Sequence, residues 1–423
     1  MNKRRSATST LFSMIFAIGF AANLVASSGI TNLIVRQRWP WSQVVDIDFV
    51  LTGTNSAPVR FWGQYEGVGK FELLDKDMDR NGASGWFAPG PHHITWDPAK
   101  AGLGENKIAG FSVTADIATY LVLDLSDGSY SYMAEPPEGG WLAYLEYTRT
   151  KMAFRRIPAG TKQIGLNEAL RKLELVYITA NYSIARDVTM SSDYYLAIYP
   201  TTKGQHDFVV NEKDVSAYKA TYITSTYDAL RGSVDADGID WPKTMYSVKG
   251  KSVVDRYRNL VASTFPADWK IDLPTASQWE YACRAETPDD WLWSVGGTEG
   301  DSKEKLGECL GMIATWGGNV DANPDKLVGQ HNPNGWGLYD MVGLCGEWNL
   351  DWCINHHTYY KGEDPVGPES SGDSKVRVRR SVTTQENDFQ SYLTTFMKGS
   401  YPDKKYGYRL CIHLKPIERQ AAQ

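Results

Sequence analysis

The stretch Asn334-Gly335-Trp336-Gly337-Leu338-Tyr339-Asp340-Met341-Val342-Gly343, followed by Glu347-Trp348 and Asp351-Trp352, packs glycines, rings and acids too densely for regular structure. It reads as a tightly folded irregular loop with carboxylates held among aromatic side chains. Upstream, Leu273-Pro274-Thr275-Ala276-Ser277-Gln278-Trp279-Glu280-Tyr281-Ala282-Cys283-Arg284 leads into a helix, because Thr275 and Gln278 have capping-box spacing. Glu280 and Arg284 then stand at i,i+4 and pair across one turn, while Trp279 and Cys283 share a neighbouring, buried face. Val253 to Ala262 is a second helix. The rest of this half is rich in Gly, Asn, Asp and aromatics, which gives a large, loop-rich α+β domain.

Towards the N-terminus the pattern changes. Val45, Ile47, Phe49 and Leu51 alternate with Asp46 and Asp48, as in a half-buried strand. Short β-like runs follow at Val59 to Tyr65, His93 to Trp96, Lys107 to Ala115 and Tyr120 to Leu125, separated by turns such as Pro89-Gly90-Pro91 and Asp127-Gly128. Such spacing with almost no helical periodicity predicts a small immunoglobulin-like β-sandwich over residues 31–133. Glu135-Pro136-Pro137-Glu138-Gly139-Gly140 reads as the linker, 134–140, so the second domain covers 141–416 and residues 417–423 form a polar tail.

A chain of 423 residues exceeds what one core usually serves and points to about two domains. With 42% apolar and 22% charged residues it can bury a large core, which argues against a disordered chain. Lys3, Arg4 and Arg5, an apolar run from Leu11 to Val25, and the small Ala26, Ser27 and Ser28 form an export signal over residues 1–28. The apolar run falls short of the about 20 residues of a membrane span, so no span is expected after cleavage. Losing those three cations takes the formal charge from −6 to −9, which disfavours nucleic acid as a partner. The five cysteines, Cys283, Cys309, Cys345, Cys353 and Cys411, include no C-x-x-C pair, so zinc-ribbon and thioredoxin readings fall away.

Several ordered segments carry a resemblance to one family. Arg156 to Thr161, Tyr194 to Tyr199, the Leu273 helix, the Asn334 to Trp352 loop and Tyr406-Gly407-Tyr408-Arg409-Leu410 together resemble the formylglycine-generating enzyme (sulfatase-modifying factor) family, over about Met152 to Leu414. The resemblance implies a C-type-lectin-like fold, and the sandwich in front looks like the leader domain of some exported bacterial members. It further implies calcium on the acidic loop, with Asp340 and Glu347 as side-chain ligands and Gly343 and Cys345 giving backbone carbonyls, although Leu344 and Gly346 stand where relatives carry Asn and Trp. The alternative for Asp340 and Glu347 is that they cap turns. Cys283 occupies one half of a family disulfide whose partner lies near Cys411, with a free buried thiol as the alternative.

The family's copper centre uses two cysteines five residues apart after an Arg-Gly-Gly-Ser-aromatic motif. Here Val378-Arg379-Arg380-Ser381-Val382 puts arginines where the glycines would be, and Thr384 and Phe389 replace the cysteines. Copper(I) binds thiolate well and hydroxyl or carbon poorly, so copper is not expected. His356-His357 is the only adjacent histidine pair in the second domain, and neighbouring residues diverge on most backbones. The expected function is an exported binding or interaction module for an unknown ligand, protein or glycan, with Arg379, Arg380, Gln390 and Thr394 on its recognition surface. The rival is an enzyme: residual formylglycine-type oxidation of a sulfatase cysteine, or another metal-dependent reaction at an unrecognised centre.

Overall fold

A computed structural model describes residues 29–53, 56–80, 85–103, 108–165, 185–231, 252–285, 303–316, 319–353, 361–367, 377–381, 398–400 and 405–417. The expected export signal lies outside them, as does the tail beyond residue 417. Among the described residues the chain is sheet-rich with few helices.

The N-terminal strands are β1 (Gly29–Gln37), β2 (Val45–Thr52), β3 (Ala57–Tyr65), β4 (Val68–Glu72), β5 (Met78–Asp79), β6 (Trp86–Phe87), β7 (Gly90–Trp96) and β8 (Ser112–Ile117). They form one sheet in the order β1-β2-β7-β5 and a second in the order β4-β3-β6 with β8 on β3. The alternation read at Val45 is the cause: Val45, Ile47, Phe49 and Leu51 all point inward, where they meet Val59, Phe61, Phe87, Ile94 and Trp96. Phe49 sits edge-on to Phe61 and Phe87 at centroid distances of 5.3 and 5.1 Å. Burying a side chain of that size stabilises by about 1.5–3 kcal/mol.

The next strands are β9 (Tyr120–Asp124), β10 (Tyr130–Met133), β11 (Lys151–Ile157), β12 (Gly160–Ile164), β13 (Arg186–Met190), β14 (Tyr194–Ala197) and β15 (Lys270–Asp272). The remaining five are β16 (Glu347–Trp352), β17 (Gly362–Glu363), β18 (Arg377–Arg380), β19 (Lys398–Ser400) and β20 (Cys411–His413). A six-stranded sheet in the order β10-β9-β11-β14-β20-β15 is the backbone of this half, flanked by β12-β13-β17 and β16-β18-β19.

This order corrects the expected domain boundary. β9 pairs with β11 from Lys151↔Asp124 to Arg155↔Tyr120, so the strands at 120–133 hydrogen-bond into the second unit. The Pro- and Gly-rich run at 134–140 is a connection inside that unit. Its turn residues look like a domain linker because both tasks need the same local chemistry. The two halves also pack together. Trp86 stands edge-on to Trp269 at 5.6 Å and to Tyr195 at 6.5 Å, and its indole nitrogen donates to Tyr132 Oη at 2.7 Å.

Five helices are described: α1 (Lys203–Val210), α2 (Tyr227–Arg231), α3 (Val253–Val261), α4 (Ala276–Arg284) and α5 (Lys303–Ile313). Helix α4 starts as the sequence predicts. Gln278 N donates to Thr275 Oγ1 at 3.1 Å and Thr275 N donates to Gln278 Oε1 at 2.9 Å, a reciprocal cap worth about 1 kcal/mol. Its side chains face inward on all sides, with Trp279, Tyr281, Ala282 and Cys283 at most 1% exposed.

Candidate functional site

Asn334 ties the irregular turn to the end of α4. Asn334 Nδ2 donates to the carbonyls of Ala282 and Cys283 at 2.8 and 3.0 Å, and its Oδ1 accepts from Trp336 N and Leu338 N at 3.0 and 3.1 Å. It therefore satisfies carbonyls that a helix end leaves open. Gly343 has φ +75°, and a Cβ there would stand 2.3 Å from the Thr315 carbonyl oxygen, so only glycine fits. Asp340 and Leu344 also adopt positive φ, 55° and 58°.

Asp340 is 2% exposed. Its Oδ2 accepts from Gly329 N at 2.7 Å, while its Oδ1 has no hydrogen-bond partner among the described residues. Burial pushes its pKa up to about 6; the Gly329 N–H and Arg409 offset only part of that.

Glu347 is fully enclosed and already neutralised. Arg409 Nη2 donates to its Oε1 at 2.8 Å, Arg409 Nε donates to Oε2 at 2.8 Å, and Trp279 Nε1 donates to Oε2 at 2.7 Å. The guanidinium spends its other donors on the carbonyls of Ala197 and Tyr339, at 3.0 and 2.9 Å. Both partners are 0% exposed, so this bidentate pair lies in the interior.

The four residues expected to ligate calcium are thus close in sequence but largely committed to protein donors. The Gly343 carbonyl accepts from Cys345 N at 2.7 Å and from Ser381 Oγ at 3.3 Å. Glu347 faces a guanidinium where a metal ion would have to stand. Calcium wants six or more oxygens, and Asp340 Oδ1 is the one side-chain oxygen of this set without a donor. The set fits calcium poorly, because Arg409 supplies the positive charge the loop requires. Arg409 was legible only as part of the closing strand; its place inside the apolar run Tyr406 to Ile412 was the signal of a buried partner.

Arg379 and Arg380, expected on an open recognition surface, are 1% and 2% exposed. The physical reason is a buried acid on the facing helix. Arg380 Nη1 lies 2.8 Å from Glu280 Oε2, Arg284 Nη2 lies 3.0 Å from Oε1, Arg186 Nη2 lies 3.5 Å from Oε2, and Gly165 N donates to Oε1 at 2.7 Å. Burial alone would raise the Glu280 pKa, but these three guanidiniums overcome it and hold the carboxyl at about 2. Arg379 instead stacks 4.7 Å from the Tyr406 ring and donates from Nη1 to the Ser381 carbonyl at 3.2 Å. Arg377, next on the same strand, lies 3.3 Å over Trp352. Gln390 and Thr394 lie outside the described residues, as do Thr384, Phe389, His356 and His357.

A copper fit can be judged on the donors present. All five thiols are buried. Burial pushes the Cys283 thiol up to about 12 and Cys353 up to about 11, and raises Cys345 and Cys411 well above the usual range. Cys283 and Cys411 are both free thiols, so the expected bridge does not form. Thr384 and Phe389 offer no sulfur, burial disfavours the thiolate at Cys283, Cys345, Cys353 and Cys411, and all five thiols are enclosed in packing. The residues do not fit copper(I).

Three comparisons bear on this architecture. The family description "Sulfatase-modifying factor enzyme 1-like domain" matches residues 146–414. The formylglycine-generating enzyme of Mus musculus is 32% identical over 140 residues, which is 31% of this chain and 35% of that protein. The formylglycine-generating enzyme of Mycobacterium tuberculosis (strain ATCC 25618 / H37Rv) is 37% identical over 93 residues, 20% of this chain and 28% of that protein. The chain thus spans about a third of the length of the curated relatives it matches. Among solved structures, PvdO from Pseudomonas aeruginosa aligns with a TM-score of 0.42 and 18% identity, covering 62% of this chain and 94% of that one. The family match takes in α4, the Asn334 turn and the segment leading into β20 that carries Arg409, more than half of the chain in all. The chain belongs to the sulfatase-modifying factor enzyme 1-like family.

Proposed function

We propose that this protein is an exported, non-catalytic binding module: a C-type-lectin-like member of the family behind an immunoglobulin-like sandwich, with the copper chemistry given up. One observation carries the reading. Arg379 fills the place of a family glycine, and Gly346 fills the place of a family tryptophan. A Cβ on Gly346 would stand 2.9 Å from Arg379 Nη1 and 3.3 Å from Tyr406 Cδ1. The bulky side chain of the pair then stands on β18, where Gly346 leaves room for it. Such a paired exchange supports a rebuilt site over random decay, since unmatched changes in a packed interior cost stability. Arg379 and Arg380 then anchor the base of the segment 379–400, and Gln390 and Thr394 are its proposed contact residues for a protein or glycan ligand. Sites are varied in this way on loops over a fixed scaffold.

The test is incubation of the purified chain with a cysteine-containing sulfatase peptide, copper and oxygen. The expected result is no aldehyde above a protein-free blank. Aldehyde that scales with protein concentration overturns the proposal and installs the oxidase reading.

A further inference from the structure

We propose a second site, away from the arginine strand: a cavity of about 410 Å³ that binds a small uncharged carbonyl compound, an ester, ketone or tertiary amide with an apolar body. Its walls come from the end of β13, the first turn of α4, the segment after β17 and the chain leaving β20. Met190, Tyr194, Val366, Leu414 and Ile417 supply apolar surface. No residue of β18 and none of Gly343 to Gly346 lines it, so it is independent of the face discussed above. The volume falls in the range of small-molecule sites, about 300–1,000 Å³, where a few placed polar groups orient a mostly apolar guest.

The cap of α4 supplies the polar groups, because Thr275 and Gln278 both line the cavity. Thr275 N donates to Gln278 Oε1 at 2.9 Å, which fixes the oxygen end of that amide and leaves Nε2 facing His413 Nδ1 at 3.3 Å. His413 accepts there, since its own proton is on Nε2 and is donated to the Leu273 carbonyl at 3.0 Å. An amide nitrogen carries two N–H groups, so Gln278 keeps a second donor that no described residue takes up. Thr275 Oγ1 accepts from Gln278 N at 3.1 Å, and its own hydroxyl proton has no acceptor among the described residues. Two unused donors within one helical turn, at the edge of apolar walls, match a carbonyl oxygen. That turn is held in place: Asp351, 1% exposed, accepts from Ala276 N at 2.5 Å with one oxygen and from Gly367 N with the other.

Charge disfavours ionic guests of either sign. Lys415 is the one ammonium or guanidinium among the lining residues, and its Nζ lies 2.5 Å from Asp364 Oδ2, so a carboxylate meets no cation ready to receive it. Lys415 also donates to Ser191 Oγ, which latches the chain after β20 to the segments after β13 and β17. Of the other two acids on the wall, Asp193 accepts from Arg156 Nε at 2.7 Å and Glu363 is likewise engaged, so neither is a seat for an ammonium group. The N–H and O–H donors of Gln278 and Thr275 repel a cation as well. His413 adds no charge, because burial lowers its pKa to about 4 and it stays neutral at physiological pH. Burying an unpaired ion costs far more than burying a carbonyl that accepts hydrogen bonds.

Isothermal titration of the full chain with 5-phenylpentan-2-one, 4-phenylbutyrate and 4-phenylbutylammonium tests this. The ketone is expected to saturate and to bind about tenfold or more tightly than either ion. Gln278→Glu keeps an oxygen for Thr275 N, and Glu suits that position of a capping box, but it removes both amide N–H groups. It is expected to weaken the ketone several-fold with the melting temperature kept. Ile417→Trp places a larger ring at a half-buried position of the wall and is expected to abolish ketone binding, again with the fold retained. Absence of saturable ketone binding, equal or tighter binding of either ion, or ketone binding indifferent to either substitution overturns the proposal.

Discussion

Replacing Glu347 by Gln would leave the Arg409 guanidinium charged, 0% exposed and opposite a neutral amide. The geometry sets the size of the effect. Arg409 makes four hydrogen bonds, two to the carboxylate and two to the Ala197 and Tyr339 carbonyls, and none can be exchanged for water. Breaking one side of a buried pair costs about 3–5 kcal/mol, since the remaining charge is stranded. At about 2–4 °C per kcal/mol for a domain of 150–250 residues, the melting temperature falls by roughly 6–20 °C. Replacing both members with Leu and Met removes the stranded charge, so the double variant is expected to recover most of the loss. Thermal unfolding followed by near-ultraviolet circular dichroism, with 1 mM calcium and with a chelator as parallel arms, reads all of this. The wild type is expected to melt at the same temperature in both arms. A loss below about 1 kcal/mol for Glu347→Gln, or a chelator-dependent melting temperature in the wild type, would refute the view that the guanidinium serves as the loop's cation.

Two further outcomes follow from the same region. Asp340 has a folded-state pKa near 6 against an ordinary 3.8, so the folded protein holds this proton more tightly than the unfolded chain. Its contribution is complete below about pH 4 and is lost as pH rises through about 6, a change of about 3 kcal/mol. Asp340→Asn keeps an oxygen for Gly329 N, suits the positive φ, and is expected to raise stability at pH 8 by about 1–3 kcal/mol while flattening the pH 4–6 slope; an unchanged slope in urea titrations counts against the assignment. Gly346→Ala is expected to cost about 1–3 kcal/mol and to be relieved when Arg379 is also truncated. Simple additivity in that double-mutant cycle would remove the pairing of Gly346 with Arg379 on which the functional proposal rests.

What the sequence made legible was local. Thr275 and Gln278 announce α4 because a cap is decided within four residues, and Val45 to Leu51 announce β2 because alternation is a short-range signal. What stayed hidden was decided by distant partners. Arg380 and Glu280 are 100 positions apart in sequence, and no spacing rule predicts that an acid inside a capped helix will draw two arginines besides its own i,i+4 neighbour into the interior. The Glu135 to Gly140 run misleads for a different reason: its turn chemistry is plain in the residues, but the pairing of β9 with β11 on either side of it is not. The acids of the Asn334 loop show their need for a cation, yet not which cation answers it, because Arg409 lies 62 residues beyond Glu347.

The β9–β11 ladder governs how this protein can be cut. A fragment begun at Trp141, just past the Pro- and Gly-rich run, would lose the strand that covers Lys151 to Arg155 and lay bare a row of amides beside Met152, Ala153 and Phe154, none more than 2% exposed in the intact chain. Such a raw edge recruits other chains. A separable C-terminal piece must therefore start ahead of Tyr120, and recombination that shuffles the front module would have to break the chain at the short Ala118-Thr119 step between β8 and β9.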